Sequence, residues 1–144
     1  MDTVRELMAR DRFAAHAGIE LLEVSAGFAR ARMSLQPYHC NGVGMAQGGA
    51  IFTLADLAFA AACNSHGTVA VATNVNISFI RPASTGVLIA EARELAHSRK
   101  LSHCTVRVVD ERDELIALFQ GTAFRKRERV EEALDDSAAS CPGE

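Results

Sequence analysis

Residues 44–65 read GMAQGGAIFTLADLAFAAACNS. A glycine pair, Gly48 and Gly49, stands in front of an apolar run, and one carboxylate, Asp56, sits in its middle. Alanine and leucine favour helix over strand, so a helix is predicted over residues 49–63. That helix is apolar nearly all round and therefore has to be buried. The rest of the chain must wrap it.

The flanking sequence supplies the wrapping. Residues 19–35, IELLEVSAGFARARMSL, read as two strands joined near SAG. In the second, Ala29, Ala31, Met33 and Leu35 alternate with Arg30 and Arg32, as on a half-exposed strand. Four strand-like runs follow the helix, over residues 69–80, 86–97, 101–109 and 115–125. Arg81-Pro82 ends the first of them, and SRK and DERDE mark the later turns. Ahead of the first strand, Val4, Leu7, Met8 and Ala15 are spaced for a helix over residues 3–15, with Gly18 as its stop. The expected architecture is α+β, an antiparallel sheet wrapped around a central long helix, as one domain over residues 1–126. Residues 127–144 are charged, then Ser/Ala/Gly/Pro-rich, and are expected to be frayed.

Composition narrows the function. The 144 residues carry a net charge of -3, which gives no reason to expect a nucleic-acid partner. No signal peptide or membrane span is recognisable, and Cys40, Cys63, Cys104 and Cys141 lack CxxC spacing. The expectation is a cytoplasmic, reduced protein without a metal or other cofactor. From Met33 to Ile80 the only formal charge is Asp56. So long an uncharged stretch belongs to a core or a subunit interface.

Removing a carboxylate from water costs several kcal/mol unless it is paired. Asp56 admits three readings: the N-cap of a shorter helix starting at Leu57, a hydrogen-bonded structural carboxylate, or a functional group. The glycines admit two. They permit a tight loop-to-helix turn, or they let a ligand oxygen approach the first amides of the helix, which have no internal partner. Such a helix start suits a carbonyl oxygen that is becoming an oxyanion. Gly48 and Asp56 are eight residues apart, about 12 Å along a helix axis. Asp56 therefore cannot serve a carbonyl bound at its own helix start. If both features are catalytic, the active site lies between two antiparallel copies of the helix.

These residues resemble the hotdog-fold thioesterases, specifically the PaaI type of phenylacetate catabolism. That family's stretch runs approximately N-x-x-G-x-x-H-G-G, with an Asp eight residues after the first of the paired glycines. Here NGVGMAQGG begins at Asn41, Asp56 follows Gly48 by eight, and LADLAFAAACNSHG is similar throughout. The resemblance spans about residues 16–126. It implies a hotdog dimer, usually paired into a homotetramer, that hydrolyses an acyl-CoA thioester, here an arylacetyl-CoA such as phenylacetyl- or hydroxyphenylacetyl-CoA.

By the same resemblance the Gly48 amide polarises the thioester carbonyl. Asp56 of the facing subunit acts as general base or nucleophile. Asn41 positions the water or the carboxylate, and Thr73 orients water or substrate. Gln47 occupies the family's His position. An amide there can hold a hydrogen bond but cannot shuttle a proton. Arg81, Arg99 and Lys100, at strand ends and turns, are expected to bind the CoA phosphates together.

His39 reads as a solvated loop histidine, His97 and His103 as surface or edge residues. No His/Asp/Glu cluster has metal spacing in the sequence. Phe52 and Phe59 lie on the Asp56 face, as core, interface or acyl-pocket residues. Two other readings remain. A hotdog hydratase or dehydratase would want a histidine where Gln47 stands. A non-catalytic acyl-CoA sensor would normally carry a DNA-binding segment, and one short helix is too little for that.

Overall fold

The computed structural model describes residues 1–136. The chain runs α1 (Asp2–Ala9), α2 (Arg12–His16), β1 (Ile19–Ser25), β2 (Phe28–Ser34), a 3-10 turn (Pro37–His39), α3 (Gly48–Asn64), β3 (Thr68–Phe79), β4 (Val87–His97), β5 (Leu101–Val109), β6 (Leu115–Arg129) and α4 (Val130–Asp135). The six strands form one sheet in the order β1-β2-β4-β5-β6-β3, antiparallel at every pairing. This is the hotdog arrangement, with α3 as the wrapped helix. No helix among the described residues is long and apolar enough to cross a membrane.

Side-chain size explains how α3 fits. Strands β2 and β4 present Ala29, Ala31, Ala90 and Ala92, all fully buried, toward the helix. Small residues on the sheet let the helix backbone approach closely. Larger groups then fill the space on either side: Leu54, Phe59, Met33, Leu88, Val106 and Phe119, each at most 1% exposed. Phe119 is the hub, with its ring centroid 5.5 Å from that of Phe52 and 5.4 Å from that of Phe59. Both pairs are tilted, which suits aromatic quadrupoles. Gly121 on β6 is required by this packing, because a Cβ there would stand 2.7 Å from the Phe59 ring.

The C-terminal end of α3 is fastened by Asn64. Its amide donates to the carbonyls of Ala60 (2.8 Å) and Ala70 (3.1 Å), and its oxygen accepts from the Ala70 amide (2.9 Å). One buried side chain thus joins the helix end to the start of β3.

Two expectations change. The N-terminal helix over residues 3–15 is broken into α1 and α2. The carboxylate of Asp11 caps α2 by accepting from the Ala14 amide at 2.9 Å, and this local bond competes with a continuous helix. The described chain after residue 126 is in regular structure rather than frayed. β6 continues to Arg129, and α4 follows with Val130 fully buried. Arg10 donates to the Leu134 carbonyl at 2.7 Å, joining the end of α1 to α4. Cys141 and the remainder of the expected tail, 137–144, lie outside the described residues.

Strand β3 forms one edge of the sheet. Its register against β6 shifts between Ala72 and Asn74, so Thr73 is the extra residue of a bulge. The bulge interrupts the simple alternation expected there. Val75 and Ile77 pack against the core, whereas Val71, Phe79 and the following Ile80 are about half exposed.

Candidate active site

The start of α3 leaves its first amides without an acceptor among the described residues. Gln47 occupies the N-cap position without a side-chain cap bond. Its carbonyl accepts from the amides of Ala50 (2.9 Å) and Ile51 (3.3 Å). The amides of Gly48 and Gly49 find no acceptor among the described residues. They are the exposed donors at the positive end of a 17-residue helix.

The missing Cβ atoms matter for space rather than for backbone strain. A Cβ on Gly48 would lie 3.0 Å from the Phe79 ring. One on Gly49 would lie 2.6 Å from Oε1 of Gln47, whose side chain folds back over the helix start.

Asp56 lies in the middle of α3, which excludes the N-cap reading. It makes no hydrogen bond or ion pair among the described residues. Burial pushes its carboxyl above the usual range, and the negative charge of Asp11 adds to the effect. The structural-carboxylate reading requires a partner, and none is present within the described residues of the protomer. Asp56 instead faces an open cavity of about 1040 Å³. Gln47, Gly49 and Phe52 share that cavity with Asp11 and Phe13 of the N-terminal helices and with Tyr38 of the 3-10 turn.

The other expected site residues separate. Asn41 braces its own loop, its side-chain oxygen accepting from the amides of Val43 (3.0 Å) and Met45 (3.1 Å). Thr73 donates to the Thr122 carbonyl at 3.2 Å from the β3 edge. Neither lines the Asp56 cavity of the same protomer. Arg99 and Lys100 share a groove with Arg125, Lys126 and Arg127.

Arg81 is not with that basic group. Its amide donates to the Ile116 carbonyl, while the Lys100 carbonyl accepts from the Arg125 amide. Ile116 and Arg125 are nine residues apart along β6, or about 30 Å. One protomer therefore cannot bring Arg81, Arg99 and Lys100 to the same phosphate, and the expectation that they act together is corrected to that extent.

One histidine expectation also changes, and a second histidine gains partners. His39 is buried rather than solvated. Its Nδ1 accepts from the Gln36 amide at 2.9 Å, which leaves Nε2–H to donate to the Ala17 carbonyl at 2.6 Å. Both nitrogens are committed to holding the loop beside the cavity. His97 is half exposed, yet it belongs to a polar cluster at the far end of α3. There Nε2 of His66 lies 2.7 Å and Nδ1 of His97 2.9 Å from Oε1 of Glu94. Ser102 donates to Oε2 of the same carboxylate. Burial of Glu94 would raise its pKa, but the bonds from Ser102 and His66 outweigh that and hold it below the usual range. These groups come from α3's exit loop and from two strands, so no short spacing announces them.

Cys63 is inert by environment. Its thiol contacts Cys104 at 3.4 Å, and that pairing together with burial pushes its pKa up, against a nucleophilic role.

Comparison with known proteins identifies the family. Residues 44–117 match the model of the thioesterase superfamily. The acyl-coenzyme A thioesterase PaaI of Escherichia coli strain K12 is 34% identical over 116 residues, covering 80% of this chain and 83% of that protein. A relative from Archaeoglobus fulgidus is 40% identical over 109 residues, 75% of this chain and 71% of its own. The E. coli PaaI structure superposes with a TM-score of 0.86 at 31% identity, over 89% of this chain and 94% of that one. A point mutant of the phenylacetic acid degradation protein PaaI from Thermus thermophilus superposes at 0.77 with 36% identity, over 81% and 100%. The chain therefore belongs to the thioesterase superfamily, as a hotdog-fold enzyme of the PaaI type that hydrolyses thioesters.

Proposed function

We propose that the chain hydrolyses arylacetyl-CoA thioesters, such as phenylacetyl- or hydroxyphenylacetyl-CoA, to the free acid and CoA in a site shared by two copies. One observation carries this reading: two unpaired amides at the start of α3 and an unpaired carboxylate two turns further along it. Within a protomer both border one cavity, but helix rise holds them about 12 Å apart, too far to act on one carbonyl. A two-fold axis beside α3 supplies both at once, twice.

In the proposed step the thioester carbonyl oxygen sits on the Gly48 amide, with Gln47 beside it. Asp56 of the facing copy takes a proton from water as that water attacks the carbonyl carbon. The developing oxyanion is held by the helix start. Collapse of the intermediate breaks the C–S bond and releases the CoA thiolate. A carboxyl raised above its ordinary range is a better-matched base near neutral pH than a surface aspartate. Attack by Asp56 itself would use the same geometry. Asn41 and Thr73 are then placed to contribute from the facing copy or to hold the site's walls.

The acyl assignment is supported by Phe13, Tyr38 and Phe52 around the Asp56 cavity and by the activity and operon that name the E. coli relative. Pairing of β3 edges would set the Arg81 end of one strand beside the basic groove of the other copy. That arrangement supports the phosphate role expected of Arg81, Arg99 and Lys100, now split between subunits. A homotetramer of two such dimers is the proposed assembly, and the free Cys40, Cys63 and Cys104 suit a reducing cytoplasm.

Thiol release from aryl, short and long acyl-CoAs, with Asp56→Asn beside wild type, tests the reading. Arylacetyl-CoA should be turned over best. Turnover surviving Asp56→Asn would remove the mechanism, and no turnover of any thioester would favour an acyl-CoA sensor. Mixing Asp56→Ala chains with chains damaged at Gly48 should restore partial activity if the site is shared.

A further inference from the structure

We propose that His66, Glu94 and His97 form a binding site for a divalent transition-metal cation of the zinc type, remote from the thioesterase site. Nε2 of His66, Oε1 of Glu94 and Nδ1 of His97 all lie within 4.8 Å of one another. The two imidazole nitrogens converge on one carboxylate oxygen, at 2.7 and 2.9 Å. Ligands sharing a tetrahedral zinc at 2.0–2.2 Å stand about 3.3 Å apart. Seating an ion therefore asks the two contacts with Glu94 to open by about half an ångström and the two imidazole nitrogens, within 4.8 Å of each other, to draw together toward that spacing. Two imidazoles and one carboxylate suit zinc, cobalt or nickel and leave a position for water.

The surroundings hold the donors in place. Glu94 is more than nine-tenths buried, and Ser102 donates to its other oxygen, Oε2. Arg125 also lies on the Oε2 side, at 3.9 Å, leaving Oε1 to the imidazoles. A Cβ on Gly27 would stand 3.2 Å from Glu94 Cβ, and Gly27 itself donates to Ser65 Oγ and accepts from the Glu94 amide. The segment that carries His66 is thereby fixed against the strand that carries Glu94. An ordered partner on the non-ligating oxygen is the usual support for a metal-binding carboxylate.

The two histidines keep a path for the ion, since His66 is about a quarter and His97 about half exposed. When an ion binds, each imidazole carries its proton on the far nitrogen, Nδ1 of His66 and Nε2 of His97. The proton that each imidazole directs at Oε1 of Glu94 must therefore leave the near nitrogen when an ion binds, with the ring re-protonated on its far nitrogen. The bound ion would join the exit of α3 to the end of β4, beside the turn that presents Arg99 and Lys100.

The test is calorimetric titration of chelator-treated full-length protein with zinc chloride, with magnesium chloride as the hard-cation control. One zinc per chain is expected and no comparable magnesium binding. His97→Ala, a half-exposed position that does not threaten folding, should weaken zinc at least about tenfold, and His66→Ala likewise. Ser102→Ala should weaken it about 10- to 100-fold through the orientation of Glu94. Asp56→Asn and Cys63→Ser should bind zinc as wild type does. Absence of saturable binding, binding unchanged in both histidine variants, or loss of binding in Asp56→Asn or Cys63→Ser would each overturn the assignment.

Discussion

Gly49→Ala is the substitution that best separates the role of Gln47 from the integrity of the helix start. The backbone at Gly49 is compatible with alanine, and the amide is retained. The new Cβ would stand 2.6 Å from Oε1 of Gln47 and 3.5 Å from its Cδ. Only the end of a flexible side chain is in the way, so Gln47 is pushed off the helix start while the backbone stays. Restricting the unfolded chain is worth about 0.4–1 kcal/mol in favour of the variant, and an off-rotamer glutamine costs about 0.5–1.5 kcal/mol. These nearly cancel, so the melting temperature should move by no more than about 4 °C. Activity should respond differently. A hydrogen bond to a charge developing on the substrate is worth about 1.5–3 kcal/mol, or about 10- to 150-fold in kcat/KM. Gln47→Ala should show a similar loss, and the double variant should lose little more than either single one. The assay is thiol release measured for all four proteins. Wild-type kcat/KM in Gly49→Ala, or losses that add in full in the double variant, would refute the idea that the two positions act through one side chain.

Further outcomes at three residues follow from the same structure. Asp56→Asn should lower kcat by about 10²- to 10⁴-fold in thiol release, the usual loss for a general base. Because folding raises the Asp56 pKa above its ordinary 3.8, the native state binds this proton more tightly than the unfolded chain. Wild-type stability should therefore fall as pH rises from that value through the shifted pKa, and the Asn variant should melt higher than wild type above that window but not below it. Gly121→Ala should destabilise by about 1–3 kcal/mol in urea unfolding, since its Cβ would meet the buried Phe59 ring at 2.7 Å. Asn64→Ala removes three hydrogen bonds and strands both polar groups of Ala70. It should cost about 2–4 kcal/mol, with the earliest loss of amide-exchange protection at the α3–β3 junction.

What could be read from sequence followed the scale of the signal. Residues 49–63 announce a buried helix because an all-apolar face has no other stable home. The wrapped sheet follows from that need together with the alternation in residues 29–35. The separation of Asp56 from Gly48, on which the proposed half-sites rest, is legible because helix rise is fixed. Features decided by a single local bond were not legible: the Asp11 cap that splits the N-terminal helix, and the one buried side chain, Val130, that anchors α4 within a charged segment. Features decided by strand register were also hidden. Arg81 and Lys100 are both strand-end residues, but register places them at opposite ends of β6. His66 meets Glu94 only because β4 passes the exit of α3. His39 looked solvated because its two partners, Gln36 and Ala17, bond through backbone groups that no side-chain pattern reveals.

On the proposed mechanism, the incomplete site and the exposed sheet edge meet at Phe79. This residue ends β3, the edge strand, and is half exposed. It also touches the space above Gly48, where its ring would meet a Cβ at 3.0 Å. An edge strand carrying Val71, Phe79 and Ile80 half in water is a liability that natural sheets cover. Covering it with a second β3, antiparallel about a two-fold axis, would immobilise Phe79 and so fix one wall of the oxygen-binding helix start. The same axis would set the facing Asp56 across from that helix start. On the proposed assembly, then, the contact that removes the exposed edge is also the contact that completes the chemistry. A monomeric variant with charge placed on the edge, Val71→Lys, is expected to lose turnover although Gly48, Gln47 and Asp56 are all unchanged within each protomer. A monomer by light scattering with wild-type thiol release would show that one copy of α3 serves itself, against the separation of about 12 Å implied by helix rise.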